Sequence, residues 1–242
     1  MSRMTDFLII TSTEDKASMN IRDVFLNDNL LKFRELDKQW HDYPLMQLEM
    51  ISAKKDHSPF FQNNSIYLGL TDSPLIFLDD LKLRQSDLNP EFLIFASRHR
   101  SKAGKPAFLT HSTGNWNEGA KYGGNPRELS KTSALLLKVA FNNLLTQRNI
   151  KKMNDFVVDL EVSHHGPTTL EKPLIFMELG SSEEEWEIKK GGEVVAHAIL
   201  STCIDYTEWL KNKIPTIGIG FGGTHYAPQF RKLINDKDIA VS

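Results

Sequence analysis

Apolar positions along this chain change their period several times, and the changes outline strands alternating with helices. "DFLIITST" (6–13) is a near-continuous apolar run, which predicts a buried strand. "STEDKASMNIRDVFLN" (12–27) follows, with Ser, Thr and acidic residues ahead of helical spacing, a helix-start signal. "LMQLEMIS" and "SIYLGLT" predict two strands with turn residues between them. "SPLIFLDD" and "EFLIFAS" (91–97) add two short apolar runs, the second strand-like, and "KPAFLTHS" (105–112) predicts a further strand.

Periodicity then disappears. "HSTGNWNEGAKYGGNP" (111–126) is rich in Gly and Asn and reads as one long loop, a feature that in compact domains is often functional. At its end Asn125 suits a helix N-cap and Pro126 the first helical position, with Leu129, Leu136, Val139, Ala140 and Leu144 at helical spacing. "DFVVDLEVS" alternates, and "KPLIFMELG" (172–180) has the unbroken apolar character of a strand covered on both faces. Ser182 with Glu185 three residues on forms a capping-box pattern that starts a helix. "KIPTIGIGFGGTHYAPQFRKLIN" reads as strand, glycine loop, helix. Strands alternating with long helices imply βαβ units, so the expected fold is a three-layer α/β/α protein with a largely parallel sheet. The expected organisation is a single domain over 1–242, with room for a smaller excursion within 30–90.

Composition narrows the class without deciding it. The 242 residues are 40% hydrophobic and 25% charged, ordinary for a globular protein able to bury a large core. A net charge of −2 advertises no global basic field, although a local patch suffices for RNA. Cys203 is the one cysteine, which excludes an intramolecular disulfide and a cysteine-based zinc knuckle. The N-terminal apolar run is too short for a signal peptide or membrane span, so the expected location is the cytosol, with no membrane association.

Candidate chemistry gathers where the predicted strands stop, the place where ligands sit in open α/β sheets. "EFLIFAS" runs into Ser97, Arg98 and His99; "KPAFLT" into His111; "DLEVS" into His164 and His165; "LIFME" into Glu178; and "TIGIGFGG" into His225 and Tyr226. Five of the eight histidines and one carboxylate thus share a predicted edge. His and Glu converging around an open position is what a zinc site needs, and the same groups also serve metal-free hydrolysis with histidine as general base. Each piece alone has a plainer reading. His164 and His165 can be one packed and one solvated side chain. Gly222 and Gly223 can form a flexible turn, or let backbone approach a ligand. "SRHRSKAGK" (97–105), with Arg98, Arg100, Lys102 and Lys105 and no acid, can be a solvated loop or a phosphate-contacting one.

At these same residues the sequence resembles the D-aminoacyl-tRNA deacylases of the archaeal and plant type. "FASRHRSKAGKPAFLTHSTGNW", "SHHGPT", "FMELGSSEEEW" and "GFGGTHYAPQF" carry the resemblance, which spans roughly residues 91–230. It implies a phosphorylase/hydrolase-like mixed, mostly parallel sheet and hydrolysis of the ester joining a D-amino acid to the 3′-terminal ribose of tRNA. It also implies two zinc ions and, as partner, tRNA charged with a D-amino acid, with no obligate protein partner evident. On that footing His111, His164 or His165, Glu178 and His225 would supply metal ligands or the general base. His99 and Ser97 would orient or protonate, and Arg98 and Lys102 would hold terminal phosphates. Thr110, Asn115 and Thr168 would bond the oxyanion or substrate amine, with Gly222, Gly223 and Tyr226 against the substrate. Alternatives are a metallo-aminopeptidase or peptidyl-tRNA hydrolase and, more distantly, a non-catalytic tRNA-binding module. The last leaves converging histidines unexplained.

Overall fold

A computed structural model describes residues 5–52, 56–102, 104–212, 214–235 and 238–242. The first strand, β1 (Thr5–Ser12), is buried along nearly its whole length and leads into α1 (Lys16–Asn27). Asp15 caps that helix: its Oδ1 accepts the Ser18 amide at 2.9 Å. β2 (Leu31–Trp40) and β3 (Tyr43–Ile51) form an antiparallel hairpin. His41 and Asp42 at its turn have φ of 50° and 66°, the positive pair a two-residue hairpin loop requires. A single helical turn, α2 (Ser58–Phe61), precedes β4 (Asn64–Thr71). β5 (Phe92–Arg100) and β6 (Ala107–His111) follow, then a short ribbon of β7 (Gly114–Asn115) and β8 (Glu128–Leu129). α3 (Ala134–Ile150), β9 (Val157–Leu160) and β10 (Leu174–Ser181) come next. α4 (Glu183–Trp186), α5 (Lys189–Lys211), β11 (Thr216–Gly218), α6 (Pro228–Asn235) and β12 (Ile239–Val241) complete the chain.

Eight strands make one sheet in the order β2-β3-β4-β1-β5-β10-β6-β9. β4, β1, β5 and β10 run parallel through its centre, and β6 enters antiparallel to β10 with β9 parallel to β6. The mixed, mostly parallel α/β sheet is the expected one. One face packs α1, α3 and α5 against Ile94, Ala96, Ile175, Met177 and Leu179. Leu93, Phe95, Leu174 and Phe176 point to the other face, onto Trp40, Leu75, Leu78, Leu81 and Leu88. Among the described residues, that second layer is a 3₁₀ turn (Leu75–Phe77) and irregular chain, where regular helices were expected. Trp40 fastens it by donating its indole N–H to Leu81 O at 2.7 Å.

Several local expectations need correction. The third helix begins at Ala134 with Ser133 as N-cap, not at Asn125–Pro126. Asn125 Nδ2 donates instead to Glu128 Oε2, Arg127 sits at φ 55°, and Leu129 is in β8, half exposed. The Ser182–Glu185 capping box is present, but the helix it opens lasts one turn. Asn20 Nδ2 takes Trp186 O and Ile188 O, and the chain restarts as α5. β11 pairs with β12 in a separate ribbon, so the last predicted strand does not join the main sheet.

Candidate active site

Strand register explains why polar groups meet over β5, β10 and β6. Phe95, Phe176 and His111 form one cross-strand row, and Ser97, Glu178 and Leu109 the next. Neighbours in a row share a face. Phe95 stacks on Phe176 at 4.6 Å, and Phe176 on His111 at 5.3 Å, so an apolar row supports the first imidazole. In the following row His99 faces Gly180, where an added Cβ would stand 2.6 Å from the His99 Cβ. Because β6 is antiparallel to β10, His111 lies beside Phe176, well before the end of β10. The cluster therefore sits on the face of the sheet, not beyond a common row of carboxyl ends.

Two further segments close over this face. The turn carrying His164 and His165 is braced by the long 111–126 loop and its flank. Gly114 N–H donates to His165 O (2.9 Å), Gly166 N–H to Tyr122 O (3.0 Å), and Thr168 Oγ1 to Glu128 Oε2 (2.6 Å). Gly166 has no room for a side chain: its Cβ would stand 2.3 Å from Gly124 N. The segment carrying His225 docks through backbone, with Val162 N–H donating to His225 O (3.1 Å) and Ala227 N–H to Leu160 O (2.9 Å). Arg231 of α6 pairs with Asp159 of β9 at 3.0 Å and holds the segment there.

The result is five imidazoles and two carboxylates in one pocket. Ring centroids of His164 lie 4.3 Å from His111, 4.5 Å from His165 and 4.6 Å from His225, and His99 lies 6.0 Å from His225. Glu178 Oε1 accepts Ser97 Oγ at 2.7 Å and is 3.7 Å from His111 Nε2, while its Oε2 is 3.3 Å from His99 Nδ1. Glu161, which the sequence reading did not single out, is as buried as Glu178. Its Oε1 is 2.7 Å from His225 Nε2, and its Oε2 is 3.6 Å from His99 Nδ1 and 3.9 Å from His111 Nε2. Glu161 follows β9 in an alternating "DLEVS" run, where a carboxylate reads as solvent-facing; only the tertiary fold turns it inward.

Burial and charge set the protonation. His164 is pushed down to about 2 by burial and by His111 and His165, and His165 to about 4 by burial and His111. Burial works against charge on His111, but Glu178 and Glu161 outweigh it and raise its pKa. Burial likewise opposes ionisation of Glu178, yet His111 and His99 hold it well below the usual carboxylate range. Glu161 raises the pKa of half-exposed His225.

A pH effect follows from the first two. Both histidines titrate near 6.5 when unfolded and far lower when folded. Between pH 6.5 and about 4 the unfolded chain therefore binds more protons, and stability falls with falling pH. His111 and His225, with raised values, are charged in both states over its lower part and act in the opposite sense around and above pH 6.5, where their contribution is lost as pH rises. Chelator-treated protein is expected to show a lower urea midpoint at pH 5 than at pH 6, with a smaller difference in the His164→Ala/His165→Ala variant. An unchanged difference would contradict the assignment.

The geometry bears on cation binding directly. Nδ1 of His111, His164 and His165 is engaged by the carbonyls of Ser112, Val162 and Gly166 at 2.8, 2.8 and 2.7 Å. That fixes the tautomer and leaves each Nε2 lone pair directed elsewhere, as in imidazole ligation. Buried His99 Nε2, His111 Nε2 and both Glu161 oxygens have no aligned hydrogen bond. Among the described residues, three overlapping sets bring ligand atoms within 4.8 Å of one another: His111/His164/His165, His99/Glu161/His225 and His111/Glu161/Glu178.

Other predicted residues fall elsewhere. Thr110 pairs with Met177 on the helix-covered face, and its Oγ1 donates to Phe176 O, so it does not reach the cluster. Asn115 Nδ2 donates to Gly123 O and Asn125 O, and Thr168 Oγ1 is taken by Glu128 and Asn125; both brace the loop. Ser97 is present as the donor that orients Glu178. Arg98 lies within β5, not beyond it, on the opposite side from His99: its guanidinium is 5.4 Å from the Trp186 ring and donates to Glu14 O. Lys102 stands exposed in the following loop. Gly222 and Gly223 are exposed with φ of 116° and 103°, and Tyr226 bridges to Glu161 through backbone beside His225. His197 lies apart, 2.8 Å from Asp28. No helix among the described residues is long and apolar enough to cross a membrane.

Known proteins are similar to this chain over most of its length. The D-aminoacyl-tRNA deacylase family profile matches residues 86–242. The D-aminoacyl-tRNA deacylase of Thermococcus kodakarensis is 34% identical over 236 residues, covering 96% of this chain and 77% of that protein. Its counterpart in Methanocaldococcus jannaschii is 41% identical over 188 residues, covering 76% and 69%. The crystal structure of a conserved protein of unknown function superposes with a TM-score of 0.77 at 29% identity, covering 99% of this chain and 76% of the other. The motif segments that meet over β5, β10 and β6 all lie inside the matched region, and the chain belongs to the D-aminoacyl-tRNA deacylase family.

Proposed function

We propose that the protein hydrolyses the ester between a D-amino acid and the 3′-terminal ribose of tRNA, releasing free tRNA and the D-amino acid. The convergence of five imidazoles with Glu161 and Glu178, in a chain of this family, carries the reading. Two neighbouring zinc ions fit the donors, one on His111, His164 and His165 and one on His99, Glu161 and His225, with Glu178 beside His111. A cation held there would supply a Lewis acid for the ester carbonyl and lower the pKa of bound water to about 7.

The chain's own groups do the rest. Glu178, ionised by its two histidine neighbours and oriented by Ser97, fixes negative charge at the base of the pocket. His164 and His165 are neutral at physiological pH and can bind a cation without losing a proton. Water adds to the ester carbonyl, the acyl carbon–ribose oxygen bond breaks, and the ribose oxygen takes a proton. That proton is the one that water gives up on adding to the carbonyl, while half-exposed His225, paired with Glu161, stays a ligand on the solvent side. Lys102 and Lys105, exposed in the loop after β5, supply cations for the RNA backbone.

The test is hydrolysis of D- and L-tyrosyl-tRNA beside an amino-acid p-nitroanilide. The D-ester is expected to be cleaved, with the L-ester and the anilide spared. Equal cleavage of both esters, or preference for the anilide, would remove the proposal in favour of a general esterase or aminopeptidase.

A further inference from the structure

A cavity of about 550 Å³ opens beside the cluster and shares Glu161, Ser112 and Ser163 with its wall. Its floor is apolar, from Leu137, Leu160 and Ala227. At its mouth stand Trp116 and Phe221, 59% and 73% exposed, with ring centroids 6.2 Å apart. Exposed aromatics facing each other over an apolar hollow leave a large area to be covered by a ligand. Among the described residues, Glu161 is the only acidic side chain in the lining, which includes no lysine or arginine.

Charge and position decide which part of the substrate enters. This inference rests on the deacylase reading above. The ester at the cluster has two bulky arms, the polynucleotide and the amino-acid side chain. The polynucleotide carries a phosphate next to its terminal nucleoside and needs cations. The cations lie at the end of β5, whereas the cavity lies beyond β6 and β9, at the far edge of the sheet order. β6 and β9 also run opposite to β5, so the loop with Lys102 and Lys105 leads into the start of β6, while the cavity takes Ser112 and Leu160 from the other ends of β6 and β9. We infer that this cavity seats the side chain of the D-amino acid and favours large apolar and aromatic ones, with Trp116 and Phe221 as its contact surfaces.

The experiment compares D-phenylalanyl and D-alanyl esters of one and the same tRNA, with the native protein and the Trp116→Ala/Phe221→Ala variant. Both positions are solvent-exposed, and retained cleavage of the alanyl ester reports an intact fold. The expected result is a loss of at least about tenfold in kcat/KM for the phenylalanyl ester, the scale of a lost apolar pocket contact. The alanyl ester should change by less than about threefold, below the range of one methylene. Equal losses on both esters would overturn the inference and move the cavity to the shared terminal nucleoside; no loss on either would show that it is unused. Native protein that cleaves neither ester would instead refute the deacylase reading itself.

Discussion

Glutamine in place of Glu178 is expected to lower kcat/KM on D-aminoacyl-tRNA by about 10³-fold or more, beyond the loss typical of one preorganised donor. The reason is position as well as charge. Glu178 is 3% exposed and touches Ser97, His99 and His111 at 2.7, 3.3 and 3.7 Å, so its carboxylate ties together groups from three strands. The amide has the same shape and still accepts the Ser97 hydroxyl. It removes the negative charge that raises the pKa of His111 and that a cation at this wall would need. Circular dichroism should show the fold retained, which separates lost chemistry from lost structure. Activity within about tenfold of the native protein would place Glu178 outside the reaction, at most in the range of an outer-shell partner.

Alanine at His111 should do as much damage, and in a different way. His111 is fully buried and belongs to two of the three ligand sets, with His164/His165 and with Glu161/Glu178. Its loss should remove the zinc held with His164 and His165, disturb the wall shared with Glu161 and Glu178, and abolish measurable turnover. His225 belongs to one set and is about half exposed, so His225→Ala should lose only the zinc held with His99 and Glu161. Elemental analysis of the two variants beside the native protein checks the contrast. Identical zinc content in all three would contradict the ligand sets.

Much of this site was legible in the sequence because strands fix direction. Five histidines and Glu178 were placed together from the positions where apolar runs stop, and all of them meet. The residues that escaped did so for physical reasons. Glu161 sits in an alternating run whose polar positions read as solvent-facing, until the His225 segment docks over it. Thr110 was misplaced because a run of five buried residues, Ala107–His111, gives no sign of which face each takes. Register against β10 decides that, and register is a tertiary property. Asn115 and Thr168 were read as substrate contacts, and both brace the turn that carries His164 and His165. The long Gly- and Asn-rich loop thus serves the site by holding two histidines in place. β2 was missed because its alternation is weak at an edge, and because His41–Asp42 is not one of the dipeptides that announce a hairpin.

The central claim is that segments far apart in sequence build one pocket that holds cations for ester hydrolysis. It is tested most directly by stripping the purified protein with a chelator and restoring zinc stepwise while following D-aminoacyl-tRNA cleavage. The account predicts that activity disappears on stripping and returns in proportion to zinc bound. Full activity in protein shown by elemental analysis to carry no divalent cation would contradict it.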